Sequence, residues 1–226
     1  MYTVQSHAKS TPWPHEEICR VPFRCLVVAP SGGGKSVIIS SMLGFEPYKK
    51  IFGKNVFFFS PTMRDDPEYA HLKIKEENIF DSYDPEILLD LYQSQRDAKK
   101  YLKKNKELEH CCIVLDDLVT DLPSNQKSLL AKMFMTGRHL NISIIIATQS
   151  YKLIGRTIRM NLTCLVCLHC NAGEVRKISE ESAASNFTEL HAECCSVPYG
   201  FIHEIVQKPL DKRFRNKFTL EFLDAK

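Results

Sequence analysis

Apolar residues along this chain come in short unbroken runs separated by polar, helix-compatible stretches. Phe23 to Ala29 (FRCLVVA), Asn55 to Ser60 (NVFFFS), Cys111 to Leu115 (CCIVL), Ile142 to Thr148 (ISIIIAT), Thr163 to Leu168 (TCLVCL) and Phe201 to Val206 (FIHEIV) are rich in β-branched and aromatic side chains. Continuous apolar runs of this length predict strands buried on both faces, since a half-solvated sheet would alternate apolar and polar residues. Between them, Val37 to Leu43, Glu86 to Lys106 after Pro85, Asn125 to Met135 up to Gly137, Glu174 to Ala184 and Phe187 to Cys194 suit helices. Residues 62–83 are charged and irregular, with room for a short helix. Strands alternating with helices predict an α/β fold: a mostly parallel central sheet flanked by helices on both faces. Residues 1–20, polar and carrying Pro12 and Pro14, read as an N-terminal arm, and residues 21–226 as a single domain. No internal repeat or low-complexity block is visible.

Composition narrows the classes. The chain has 226 residues, with 30 Lys and Arg against 27 Asp and Glu, a net charge of +3. That balance excludes a disordered tail, a collagen, a coiled coil and a surface coated throughout in basic residues. Every apolar run is far short of the roughly 18–20 residues that span a bilayer. The first residues hold no apolar core of a secretory signal, so an intracellular protein with no membrane segment is expected. Nine cysteines, an odd number in a chain of this size, do not suggest a disulfide scaffold.

The chemistry begins where the first predicted strand ends. Ala29-Pro30-Ser31-Gly32-Gly33-Gly34-Lys35-Ser36 is a Walker A pattern with alanine in its first slot. Glycines let successive backbone N–H groups curl into an anion-binding nest, and a helix starting near Lys35 turns its positive end to the same point. Pro30, Ser31, Gly32, Gly33, Gly34, Lys35 and Ser36 are therefore the expected ATP-binding loop. Lys35 would reach the β- and γ-phosphates and Ser36 would ligate Mg²⁺. Ala29 is small enough for the turn from strand to loop.

Two further strand ends carry polar groups. Cys111 to Leu115 runs into Asp116-Asp117, the form of a Walker B motif, 80 residues beyond Ser36. Asp116 at the strand tip is expected to hold Mg²⁺ through water, and Asp117 to act as general base on the attacking water. Ile142 to Thr148 ends in Gln149. In a parallel sheet, ligands bind beyond the carboxyl ends of the strands, so Gln149 should sit by the phosphates to orient water or sense the γ-phosphate.

In order and spacing, FRCLVVAPSGGGKS, NVFFFSPT, CCIVLDDL, TGRHLNISIIIATQS and KLIGRTIRMNLT resemble the DNA-packaging ATPases of poxviruses, other large double-stranded DNA viruses, virophages and Polinton-type transposons, within the FtsK–HerA superfamily. The resemblance covers residues 20 to about 216. It implies a P-loop NTPase fold of the RecA/FtsK-like kind. It also implies an ATP- and Mg²⁺-dependent translocase that pumps double-stranded DNA into a preformed capsid. A homo-oligomeric ring, usually a hexamer, a capsid or portal-vertex partner, and a site in a viral factory or nucleus, or with the virion, follow from it. Lys35, Ser36, Asp116, Asp117 and Gln149 match the family's phosphate, metal and catalytic positions. The family also implies an arginine supplied across the subunit interface: Arg138 first, then Arg159, with Arg156 behind them.

Other patterns point less sharply. Cys164, Cys167, His169 and Cys170, with His191, Cys194 and Cys195, invite a zinc reading, yet residues three apart on a strand face opposite sides, so Cys164 and Cys167 should diverge. Lys99 to Lys106 reads as a solvated helix end, and Asp211 to Phe218 (DKRFRNKF) as a basic cluster able to meet DNA or a neighbouring subunit. The alternative function is a P-loop nucleotide or small-molecule kinase. The acidic pair and the strand ending in glutamine suit hydrolysis better, and no arginine-rich lid segment is evident.

Overall fold

A computed structural model of the chain describes residues 15, 18–102, 107–118, 124–219 and 221–226. Most of the expected N-terminal arm and Lys103 to Lys106 of the basic run lie outside the described residues. Ile18 and Cys19 are buried in the core, so packed structure begins slightly before residue 21.

Eight strands form one sheet: β1 (Arg24–Val28), β2 (Val56–Phe59), β3 (Ile79–Phe80), β4 (Cys111–Asp116), β5 (Ile142–Thr148), β6 (Cys164–Leu168), β7 (Phe201–Ile205) and β8 (Phe214–Asn216). Their spatial order is β3-β2-β4-β5-β1-β6-β7-β8. All pairings from β3 across to β6 are parallel, while β6–β7 and β7–β8 are antiparallel. The six expected strands are all present, and the sheet is mostly parallel as anticipated.

Each central strand is buried on both sides because its alternate residues enter two different cores. Leu26, Val28, Ile113, Leu115, Ile144 and Ile146 face one side, packed with Leu88 and Tyr92 of helix α3 (Pro85–Lys100) and Leu130, Met133 and Phe134 of α4 (Ser124–Thr136). Cys25, Val27, Val114 and Ile145 face the other, under Ile38, Ile39 and Met42 of α1 (Lys35–Gly44) and Tyr48 and Phe52 of α2 (Glu46–Phe52). The continuous apolar runs exist because neither face meets water.

The helices follow local signals. Asp84 caps α3, its carboxylate accepting from the backbone N–H groups of Glu86 and Ile87, with Pro85 at the first position and Lys99 and Lys100 in the last turn. That helix stops at Lys100, short of the expected Lys106. The remaining helices are α5 (Arg156–Arg159), α6 (Ala172–Glu181) and α7 (Phe187–Cys194). Asn171 caps α6 by accepting from the Glu174 N–H. No helix among the described residues is long and apolar enough to cross a membrane.

The DKRFRNKF run is only partly a surface patch: Asp211 and Lys212 are exposed, but Phe214 and Arg215 are fully buried in β8. Its register places Arg215 opposite His203 and Phe214 opposite Glu204. The Arg215 guanidinium stacks over the Phe222 ring at 4.4 Å and donates to the Thr219 carbonyl, so the C-terminal segment folds over it.

Candidate active site

Because β5 lies between β1 and β4, three strand ends open side by side at the carboxyl edge of the sheet. The β1 end continues into the phosphate loop. Gly32 and Gly34 adopt φ of +69° and +95°, in the left-handed region that a Cβ disfavours. A Cβ on Gly33 would press within 3.0 Å of Ala29 and Pro30. The backbone thus curls as the glycine pattern predicts, with Gly34 leading directly into α1. The alanine in the first slot is accommodated: Ala29 is fully buried and its N–H donates to the Thr148 carbonyl at the tip of β5.

Lys35 is only 7% exposed. Its ammonium donates to the carbonyls of Ala29 and Pro30, both at 3.4 Å, and pairs with Asp117 Oδ2 at 3.3 Å. Gln149 Nε2 donates to the same Asp117 oxygen at 3.2 Å. One carboxylate oxygen therefore gathers the loop lysine from β1 and the glutamine from β5. Asp117 itself has φ +53°, a left-handed backbone that aspartate tolerates better than most residues. Its N–H donates to the Ala147 carbonyl, which fixes this turn against β5.

Asp116 ends β4 and is buried. Its Oδ2 accepts from Ser60 Oγ at 3.3 Å and Tyr69 Oη at 3.1 Å. The Tyr69 hydroxyl also lies within bonding reach of Ser36. Burial, and then the neighbouring Asp117 charge, raise the Asp116 carboxyl above its ordinary range, with Tyr69 and Lys35 opposing. Burial and Asp116 likewise raise the Tyr69 phenol, so it stays a donor.

Ser60 and Tyr69 were not singled out from the sequence. Ser60 had a readable signal, as the polar terminus of an apolar strand, like Asp116 and Gln149. Tyr69 had none: it lies in a one-turn 3₁₀ segment, Pro67–Tyr69, within the charged stretch 62–83. On the other side of the loop, a cleft of about 410 Å³ is lined by Pro30 to Gly33, Leu168, His169 and Pro198 to Gly200. Tyr199, with φ +55° and 70% exposed, stands over Gly34.

The arginines are not gathered there. Arg138 is exposed in the turn between α4 and β5, near enough to Arg24 for its charge to add to burial in lowering the Arg24 pKa. It therefore lies at the amino end of β5, roughly 20 Å along that strand from the phosphates. Arg159 is committed elsewhere. Its guanidinium grips Glu181 with two bonds, at 3.0 and 2.8 Å, donates to the Ile154 carbonyl and covers the Tyr151 ring. Together with Tyr151 and Lys177, Arg159 holds the Glu181 carboxyl down to about 2. Within the chain this side chain anchors α5 on α6. Arg159→Ala is expected to destabilise the fold by about 1–3 kcal/mol in chemical denaturation, through loss of charge-assisted bonds. Activity per folded molecule should be preserved; lost activity at unchanged stability would restore Arg159 as a catalytic candidate.

Cys164 and Cys167 do face opposite cores, as their spacing requires. His191 Nε2 meets the Leu168 carbonyl at 2.8 Å and Cys195 Sγ at 3.4 Å. That local pairing does not bring Cys164 and Cys167 together.

The family model described as Poxvirus A32 protein matches residues 11–190. The DNA packaging proteins OPG160 of Vaccinia virus (strain Copenhagen) and Variola virus are each 26% identical to the chain over 151 residues, covering 66% of it and 53% of theirs. The chain thus spans about half the length of the curated relatives it matches. Among solved structures, the genome packaging NTPase B204 from Sulfolobus turreted icosahedral virus 2, in complex with sulfate, superposes with a TM-score of 0.61 at 16% identity, over 88% of this chain and 97% of that one. The same protein in complex with ATP-gammaS gives 0.58 at 14% identity, over 87% and 97%. At these identities the likeness is one of fold. The sequence match extends over the phosphate loop, the acidic strand tip and the glutamine strand, and on that ground the chain belongs to the poxvirus A32 family.

Proposed function

We propose that the chain is an ATPase that drives double-stranded DNA into a viral or virus-like capsid, acting as a homo-oligomeric ring. The observation that carries the hydrolytic part is the row Lys35–Asp117–Gln149, drawn from three adjacent strand ends onto one carboxylate oxygen. An acid held between a phosphate-seeking ammonium and a glutamine amide is arranged to place and deprotonate water. A triphosphate in the loop competes for Lys35, and Asp117 is then left to Gln149 and the attacking water. The cleft beside Tyr199 would take the base and ribose.

The residues fit Mg²⁺. Asp116 is a buried carboxylate with no cation directly against it among the described residues, and Tyr69 joins it to Ser36, so these two would hold the ion. Once bound, Mg²⁺ would neutralise charge on the phosphate oxygens. Ser60 and Tyr69 orient the Asp116 carboxylate throughout.

DNA and capsid as partners rest on family membership and on what the relatives are named for. A net charge of +3 is compatible with a DNA partner, because a ring needs only a basic strip facing its pore, repeated by symmetry. Arg138 cannot reach the phosphates of its own subunit, so a catalytic role for it would be in trans. Mixing inactive Arg138→Ala and Lys35→Ala chains should then recover turnover at mixed interfaces. An unaffected Arg138→Ala protein would move the assignment to Arg156, exposed at the start of α5. The test of the whole reading is the ATP hydrolysis rate with and without double-stranded DNA. Stimulation is expected; DNA-indifferent phosphoryl transfer to a small acceptor would establish the kinase alternative.

A further inference from the structure

Away from the phosphates, three neighbouring strands and the lead-in to β1 bring sulfur and nitrogen donors together. Cys25 of β1 and Cys164 of β6 are directly opposed in register. His203 of β7 pairs with Val166, two residues beyond Cys164, and so shares that face as a diagonal neighbour. Cys19 arrives from the lead-in, its carbonyl accepting from the Tyr48 hydroxyl at 2.6 Å.

The ligand atoms of Cys19, Cys164 and His203 all lie within 4.8 Å of one another, and all three residues are buried. His203 Nε2 is 3.3 Å from Cys164 Sγ and 4.0 Å from Cys19 Sγ, and Cys25 Sγ is 3.3 Å from Cys164 Sγ. Tetrahedral zinc, with bonds of about 2.3 Å to sulfur and 2.0–2.1 Å to nitrogen, has ligand-to-ligand edges of about 3.6–3.8 Å. The separations straddle that value; Cys25 Sγ touches Cys164 but lies outside the mutually close group of three, so its side chain would have to turn inward to complete the tetrahedron.

Buried cysteine alone is ordinary core; the histidine makes the difference. Buried imidazoles are normally hydrogen-bonded. His203 Nδ1 has no partner among the described residues and zinc on Nε2 would not supply one; what points to a metal is Nε2, directed at the sulfurs of both Cys164 and Cys19.

We propose that Cys19, Cys25, Cys164 and His203 bind one zinc ion in a closed structural site. The Sγ–H protons of the three cysteines pass to solvent as three Sγ–Zn bonds and one Nε2–Zn bond form, with no change of oxidation state. The resulting site carries a net charge of −1, and Arg215, paired with His203 across β7 and β8, supplies the compensating cation. The ion would fasten the lead-in to β1, β6 and β7. Cys25 is four residues before Ala29, about 13 Å along the strand, so the role is to hold the sheet rather than to touch nucleotide.

The test uses the full chain expressed in zinc-containing medium. Elemental analysis should find close to one zinc per chain, and replacement by cobalt should give thiolate-to-cobalt charge-transfer absorption. Cys164→Ser and His203→Ala should lose the metal, while Cys167→Ser, equally buried on the opposite face of β6, should keep it. Should either ligand variant fail to fold, the native chain still decides through its metal content and cobalt spectrum. A native chain without zinc and without cobalt–thiolate absorption would overturn the proposal. So would zinc retained by Cys164→Ser, or a native chain lighter by two hydrogens through a Cys25–Cys164 disulfide.

Discussion

Asp117→Asn is expected to bind ATP about as tightly as the native chain and to turn it over roughly 10²–10⁴-fold more slowly, the range a positioned general base contributes. Asparagine is close to isosteric and tolerates the left-handed backbone that φ +53° imposes at this position. The backbone bond to the Ala147 carbonyl and the contact with Gln149 can both survive. What disappears is the ability to accept a proton, together with the negative partner of Lys35 at 3.3 Å. Losing that partner leaves the ammonium freer to meet phosphate, so binding should not weaken. Asp117→Ala is a poorer experiment, since a Cβ residue without a local hydrogen-bonding side chain costs about 1–2 kcal/mol in the left-handed region. Binding of a fluorescent ATP analogue and phosphate release, measured on the same preparation, separate the two effects. Native turnover by Asp117→Asn would remove it as the base.

The parts of this site that could be read from the sequence are those fixed by local geometry. The loop glycines announce positive φ, and Gly32 and Gly34 have it. An apolar run ending in a polar residue announces a strand tip at the ligand edge, and Asp116, Asp117 and Gln149 all lie there. Tyr69 was illegible because nothing local marks it. It reaches Asp116 from 47 residues away, through a single 3₁₀ turn in an irregular stretch. The strands β3 and β8 were missed because two or three residues cannot show a periodicity. In β8 the burial of Arg215 reverses what a basic run ordinarily means. Helix α2 was missed for a related reason: its buried face is only Tyr48 and Phe52, one turn apart, with Lys49 and Lys50 between them. Arg159 shows a different gap: the resemblance suggests a role across a subunit interface, while its two bonds to Glu181 within the chain are a long-range pairing that nothing local in RTIR announces.

Lys35→Ala is expected to lose both tight ATP binding and turnover, the latter by at least about 10²–10³-fold, the scale of one preorganised donor to developing charge. Lys35→Arg should not rescue it. The ammonium lies between two loop carbonyls at 3.4 Å and is 7% exposed, a space shaped for a point charge and not for a planar fork. The variant also has a signature without nucleotide. Burial and Asp117 raise the Asp116 carboxyl, and Lys35 is one of the groups holding it down. Removing Lys35 raises it further. A carboxyl with a raised folded-state pKa binds protons more readily in the native than in the unfolded chain. Its contribution to stability is therefore favourable at low pH and declines as pH rises from the unfolded value through the folded one. Without nucleotide, Lys35→Ala should accordingly lose more thermal stability than the native chain between mildly acidic and neutral pH. The two melting curves should approach each other again on acidification, as Asp116 becomes protonated in both. Parallel pH profiles would mean that Lys35 does not govern the charge state of the acidic pair, and the electrostatic link between the loop and β4 would have to be given up.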